Sequence, residues 1–198
     1  MKLNKPVLLA FGLLILSASL YRAWPGRPEG FAPQMAMALF AGAMIKDKRW
    51  AIILPLLSML VSDVIYQLLY NNGISTIKGF YEGQGLNYLL IGGITLFGFL
   101  LKKISVLRVS LFSMAGSVIF FLASNFVVWQ AGAGLARPKT FEGLLLCYYD
   151  GLAFFRDYGL VKGFYGNLFI GDLFFCAIIF GSYYFLNKLV LQPKQQLA

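Results

Sequence analysis

The 198-residue sequence predicts an all-α fold, a polytopic membrane helix bundle of about six transmembrane helices with both termini cytoplasmic. Three observations predict it. The chain is 59% hydrophobic and only 13% charged, with a mean hydropathy of +0.73. A water-soluble domain carries about 25% charged residues, so too little polar surface is present to cover a soluble globule. Long apolar runs are separated by short polar loops, and the basic residues concentrate in alternate loops.

The elements follow in order, against a requirement of about 20 mostly apolar residues per spanning helix. The first run is Pro6 to Tyr21, preceded by Lys2 and Lys5, and reads as an uncleaved first helix. Arg22 to Gly30 is a loop whose prolines, Pro25 and Pro28, stop the helix. The second run is Phe31 to Ile45, closed by Lys46-Asp47-Lys48-Arg49. The third is Trp50 to Tyr70, followed by a polar loop from Asn71 to Gly85. The fourth is Leu86 to Leu101 and the fifth Leu107 to Trp129, with Lys102, Lys103 and Arg108 between them. The sixth runs from Gly163 to about Leu191, ahead of Pro193-Lys194. Between the fifth and sixth, residues 141–157 hold an apolar and aromatic stretch broken by Asp150 and Gly151. It is too short to span comfortably and reads as an interfacial or re-entrant segment of a single transmembrane domain, residues 1–198.

The charges orient the bundle. Ten of the 17 basic residues fall on the side of the N-terminus, in short segments with only Asp47 as acidic company. Short loops dense in Lys and Arg mark the cytoplasm, so the loops after runs one, three and five face outward. The net charge of +9 then reflects topology and anionic lipid, and nucleic acid is excluded as a partner. There is no histidine, and the two cysteines, Cys147 and Cys176, lack metal-ligand spacing; no metal or cofactor is expected. The two thiols are expected unpaired, with a Cys147–Cys176 disulfide as the alternative.

Once each helix has a direction, the strongly polar residues gather in the outer half. Asp63 lies about 13 residues, roughly 20 Å, from the cytoplasmic end of its run. Asp172 lies about nine residues into the last run, and Asn125 sits near the outer end of the fifth. Polar groups inside a membrane are costly and point to function. Asp63, Asn125 and Asp172 are therefore the expected substrate contacts, with Gln34 and Arg22 assisting and Trp24 and Trp129 at the rim. The inner-half hydroxyls Ser58, Thr95, Ser110 and Ser113 are expected to bond back to their own helices. The small residues Ala32, Ala36, Ala38 and Gly42 form a flat face that suits close helix packing or a docking partner. No phosphate-binding loop, nucleophile elbow or histidine acid–base set occurs, so no enzyme is expected.

Phe31 to Ala43, Pro55-Leu56 through Ser62-Asp63, Ser124 to Trp129, Gly143 to Tyr148, Phe154-Phe155 and Gly171-Asp172-Leu173 resemble an uncharacterised bacterial membrane family assigned to transport. That family is itself similar to the substrate-binding S components of energy-coupling factor transporters. The resemblance implies a subunit of the bacterial inner membrane that captures a vitamin-like molecule or an ion from outside, with Arg22 to Gly30 as a lid. It implies as partner a membrane coupling protein bearing ATPase subunits. S components dock through an AxxxA step on the first helix; here the nearest step, Ala32 to Ala36, lies on the second run. The alternative function is a non-catalytic scaffold or subunit of an envelope complex.

Overall fold

The computed structural model describes residues 5–24 and 26–188, with side chains from residue 12 onward. Lys2, Pro25, Pro193 and Lys194 lie outside the described residues. Seven helices are described: α1 (Lys5–Arg22), α2 (Gln34–Met44), α3 (Lys48–Asn71), α4 (Gln84–Gly98), α5 (Val106–Ala131), α6 (Phe141–Tyr158) and α7 (Asn167–Leu186). Three of them, α3, α5 and α7, are long and apolar enough to cross a membrane.

Local chemistry sets most boundaries. Asp47 caps α3 by accepting from the Arg49 amide at 3.0 Å, and Ser105 caps α5 through the Arg108 amide. Thr140 caps α6 through the Gly143 amide. Such side-chain oxygens satisfy amides that a helix leaves unpaired in its first turn. α5 ends at Gly132, whose φ of +75° suits a residue without a Cβ. The last helix begins at Asn167 rather than Gly163, because Val161 to Phe164 forms a turn and Gly163 adopts φ +82°.

The inside of the bundle is more polar than its outer wall. Along α3, Ile53, Leu57, Leu60, Val64 and Leu68 are exposed on one face. The opposite face buries Ala51, Leu54, Ser58, Ser62, Asp63 and Tyr66. α5 and α7 likewise expose Leu111, Met114, Val118, Leu122, Phe174 and Ile178. A water-soluble protein does not leave stripes of this length bare; a wall facing lipid does. This arrangement, with the three long apolar helices, marks a membrane protein.

α2 departs from the expected second span. It has 11 residues and rises about 16 Å, roughly half of a 30 Å hydrocarbon core. Pro33 precedes its first turn, and Ile45 turns the chain to an extended conformation just before the α3 cap. The helix is short because it is central: it packs against α3, α4, α5 and α7. Of the two uses open to the small-residue face, helix packing or partner docking, Ala36, Ala38 and Gly42 serve the first: they are buried in these contacts, while Ala32 is half-buried. α2 and α4 meet backbone to backbone. A Cβ on Gly42 would collide with the Thr95 carbonyl, and one on Gly98 would stand 2.7 Å from the Leu39 carbonyl oxygen. Phe40 on Phe180 and Phe97 on Phe112 fill the flanks, with ring centroids 5.1 and 4.8 Å apart.

Candidate functional site

The polar residues that the sequence brings to one depth form three separate groups. The first joins α1, α3 and α4. Asp63 is 1% exposed, and its two oxygens are shared among three donors from other helices. Arg22 donates to Oδ1 at 2.5 Å. Tyr88 donates to Oδ2 at 2.6 Å, and Gln84 donates to the same oxygen. Arg22 also reaches Ser62. The end of α1 is held in the same place: its last carbonyl, at Arg22, accepts from the Tyr66 hydroxyl at 2.5 Å and from Arg27 Nε at 3.1 Å. A cation placed at a helix C-terminus offsets its negative partial charge. Asp63 is thus a fully engaged junction of three helices.

The second group lies between α2, α5 and α7. Asp172, 2% exposed, accepts from Ser117 Oγ at 2.6 Å, and no cation pairs with it among the described residues. Beside it is a cavity of about 10 Å3 lined by Met35, Ala36, Ser113, Asp172 and Cys176, among others. That is room for about one water molecule. Ser113, expected to bond back to its helix, instead faces this cavity beside the Cys176 thiol. Thr95 does bond back, to the Ile91 carbonyl, as does Ser117 to that of Ser113. Gln34 opens the helix that supplies Met35 and Ala36. It is 5% exposed, and neither atom of its carboxamide has a hydrogen-bond partner.

A loop closes over this second group. Residues 26–31 wedge between the end of α6 and the start of α7. The Glu29 amide donates to the Tyr158 carbonyl at 2.9 Å, and Gly30, at φ +73°, leaves no room for a Cβ against the Phe155 ring. Phe31 is buried against Phe174 and Phe175, at 5.2 Å from each ring. Asn167 fastens the far wall, donating to the Phe155, Val161 and Phe164 carbonyls and accepting from the Val161 amide.

The third group is at the end of α5. Asn125 is half-buried, donates to the Phe121 carbonyl of its own helix and packs on Gly151 of α6. Trp129 donates to the Pro138 carbonyl at 2.7 Å, and Lys139 caps α5 by donating to the carbonyls of Trp129 and Gln130. Arg137 grips Asp150 with two bonds, at 2.8 and 3.0 Å, which hold the carboxyl below the usual carboxylate range. Trp24 is 63% exposed and touches Tyr21 edge-on. Cys147 and Cys176 are free thiols, buried on α6 and α7.

The structure therefore brings Arg22 to Asp63, and Gln34 to the end of the helix flanking Asp172. It sets Asn125 and Trp129 apart from both. Gln84, Tyr88, Ser113 and Ser117 enter these groups without a sequence signal strong enough to single them out. Gln84 looks like a helix start, Tyr88 like a headgroup-level aromatic and the serines like residues bonded to their own helix.

Fold and polar groups together define a helical membrane protein with buried polar junctions and a covering loop. The chain belongs to a family of unknown function, DUF6580, which matches residues 2–195. No curated protein and no solved structure matches the chain.

Proposed function

We propose that this protein is the solute-binding subunit of a bacterial inner-membrane transporter, taking a small polar molecule or ion from the outer side beneath the loop of residues 22–31. In this reading the bundle crosses the membrane six times with both termini inside, and α6 lies at the outer interface. α2 completes its crossing with the flanking extended segments. The ATPase function belongs to a separate coupling complex.

One observation carries the reading. The Gln34 carboxamide, at the start of α2 just after the loop, is buried with both its nitrogen and its oxygen unpaired. Buried polar groups are almost always satisfied, and leaving one unpaired costs about 1–3 kcal/mol. A bundle needing only packing gains nothing from an amide there, whereas a binding site does. The cation-free Asp172 carboxyl near the adjoining turn of α2 extends the same argument.

The test is Gln34→Leu. Removing an unpaired amide raises thermal stability without solute, or leaves it unchanged. It also abolishes the stabilisation that wild-type protein gains from its solute in a thermal-shift screen of vitamins and inorganic ions. A Gln34→Leu protein that melts well below wild type gives Gln34 a structural role and removes the basis of the proposal.

The scaffold reading is favoured by one feature, the exposed Phe141, Leu145, Tyr149 and Tyr158 on α6. A stoichiometric partner without ATPase subunits, together with no stabilising solute, would decide for it.

A further inference from the structure

The opposite end of the bundle carries a second concavity. It is a shallow, open depression where the last turns of α2 and α4 meet the first turn of α3, with a volume of about 390 Å3. Sites that hold small molecules enclose about 300–1,000 Å3, so the space admits a phosphate ester. Ile45 and Leu101, each 2% exposed, form its apolar floor. Lys46, Lys48 and Lys102 line it, and all three are exposed.

Two facts separate this place from an ordinary solvated basic loop. The first is an excess of positive charge. None of Lys46, Lys48, Arg49, Lys102 and Lys103 makes an ion pair among the described residues. The one carboxylate beside them, Asp47, caps α3 and offsets one of these five charges. The first turn of α3 adds a positive partial charge and the last turns of α2 and α4 opposing negative ones, so an anion would be drawn by the lysine side chains themselves. The second is that the site is built. Lys48 Nζ is held 3.7 Å above the centre of the Phe99 ring, a contact that keeps the ammonium over the concavity. An apolar floor with a cationic rim matches an amphiphile that bears a phosphate at the boundary of its acyl chains. Basic pockets between helices at the cytoplasmic surface bind such headgroups.

We infer that this concavity binds the phosphate of an anionic phospholipid, with Lys46, Lys48 and Lys102 as the contacting cations and Phe99 as the wall that positions Lys48. The inference concerns the opposite end of the bundle from Gln34 and does not rest on solute capture.

The experiment uses the full chain, purified in a neutral detergent and titrated with phosphatidylglycerol, phosphatidylcholine or inorganic phosphate. Melting temperature is followed, and retained lipid is counted by native mass spectrometry. Phosphatidylglycerol at a hundredfold excess over its dissociation constant raises the melting temperature by about 5–10 °C and remains bound. Phosphatidylcholine and inorganic phosphate do neither. The triple variant Lys46→Gln, Lys48→Gln, Lys102→Gln melts close to wild type without lipid, since its changes are on exposed side chains, and loses both responses. A control triple, Lys78→Gln, Lys162→Gln, Lys188→Gln, changes net charge equally and keeps them. Equal responses in the two triples would reduce the effect to net charge and overturn the inference. So would an inorganic phosphate response that matches that of phosphatidylglycerol.

Discussion

Truncating Asp63 to alanine removes the acceptor on which three helices converge. The carboxylate is 1% exposed and receives Arg22, Gln84 and Tyr88. Its loss leaves the Gln84 amide buried without an acceptor, at about 1–3 kcal/mol, and the half-buried Tyr88 hydroxyl at the low end of that range. The Arg22 side chain is 19% exposed and recovers only part of its solvation. The total, about 3–5 kcal/mol, agrees with the usual cost of breaking a buried ion pair from one side. Arg22→Met should cost at least as much, because Asp63 has no route to water. The double variant Arg22→Met, Asp63→Leu should recover a large part of the loss, since it leaves no uncompensated charge. Reversible SDS unfolding in mixed micelles measures all three. If Asp63→Ala costs under 1 kcal/mol, or the double variant is as unstable as the sum of the singles, the junction does not hold α1, α3 and α4 together as described.

Four further outcomes are expected. Asp172→Asn keeps an acceptor for Ser117 and abandons no counter-charge, so it should cost about 1 kcal/mol or less in the same unfolding assay, well below Asp63→Ala. Gly42→Ala forces a Cβ into the backbone of α4, where no side chain can yield; a loss of about 3 kcal/mol is expected, and a neutral result would mean that the α2–α4 approach is looser than drawn. The Asp150 carboxyl titrates below its ordinary range because Arg137 bonds to its charged form. Its stabilisation is therefore complete above the unfolded aspartate value of about 3.9 and fades as pH falls through the lower folded value. Melting curves from pH 6 down to 2 should show a shallower acid limb in Asp150→Asn than in wild type. Gln34→Leu should raise the melting temperature or leave it unchanged, the reverse of the usual effect of replacing a satisfied buried amide.

Much of the helical framework was legible in local chemistry. Apolar runs, the basic segments between them and the loop prolines each act within a few residues of themselves, whereas the caps at Asp47, Ser105 and Thr140 came from the structure. Their consequences survive any packing arrangement, which is why α3 and α5 lie within two residues of their expected limits.

What the helices do to one another was decided only by the tertiary structure. Asp63 and Asp172 share a depth in the sequence reading, yet Asp63 meets Arg22, 41 positions away, and Asp172 meets Ser117, 55 positions away. Depth follows from counting along one helix, but partnership depends on rotation about the helix axis and on which helices adjoin. Neither is written in a run of apolar residues. The shortness of α2 has the same origin: a helix surrounded by four others need not match the bilayer. Among the described residues, three helices are long and apolar enough to span by their own length, arranged around the short buried α2. The polar residues resolve into a closed junction at Asp63, a small cavity beside Asp172 and Ser113, and an unpaired amide at Gln34.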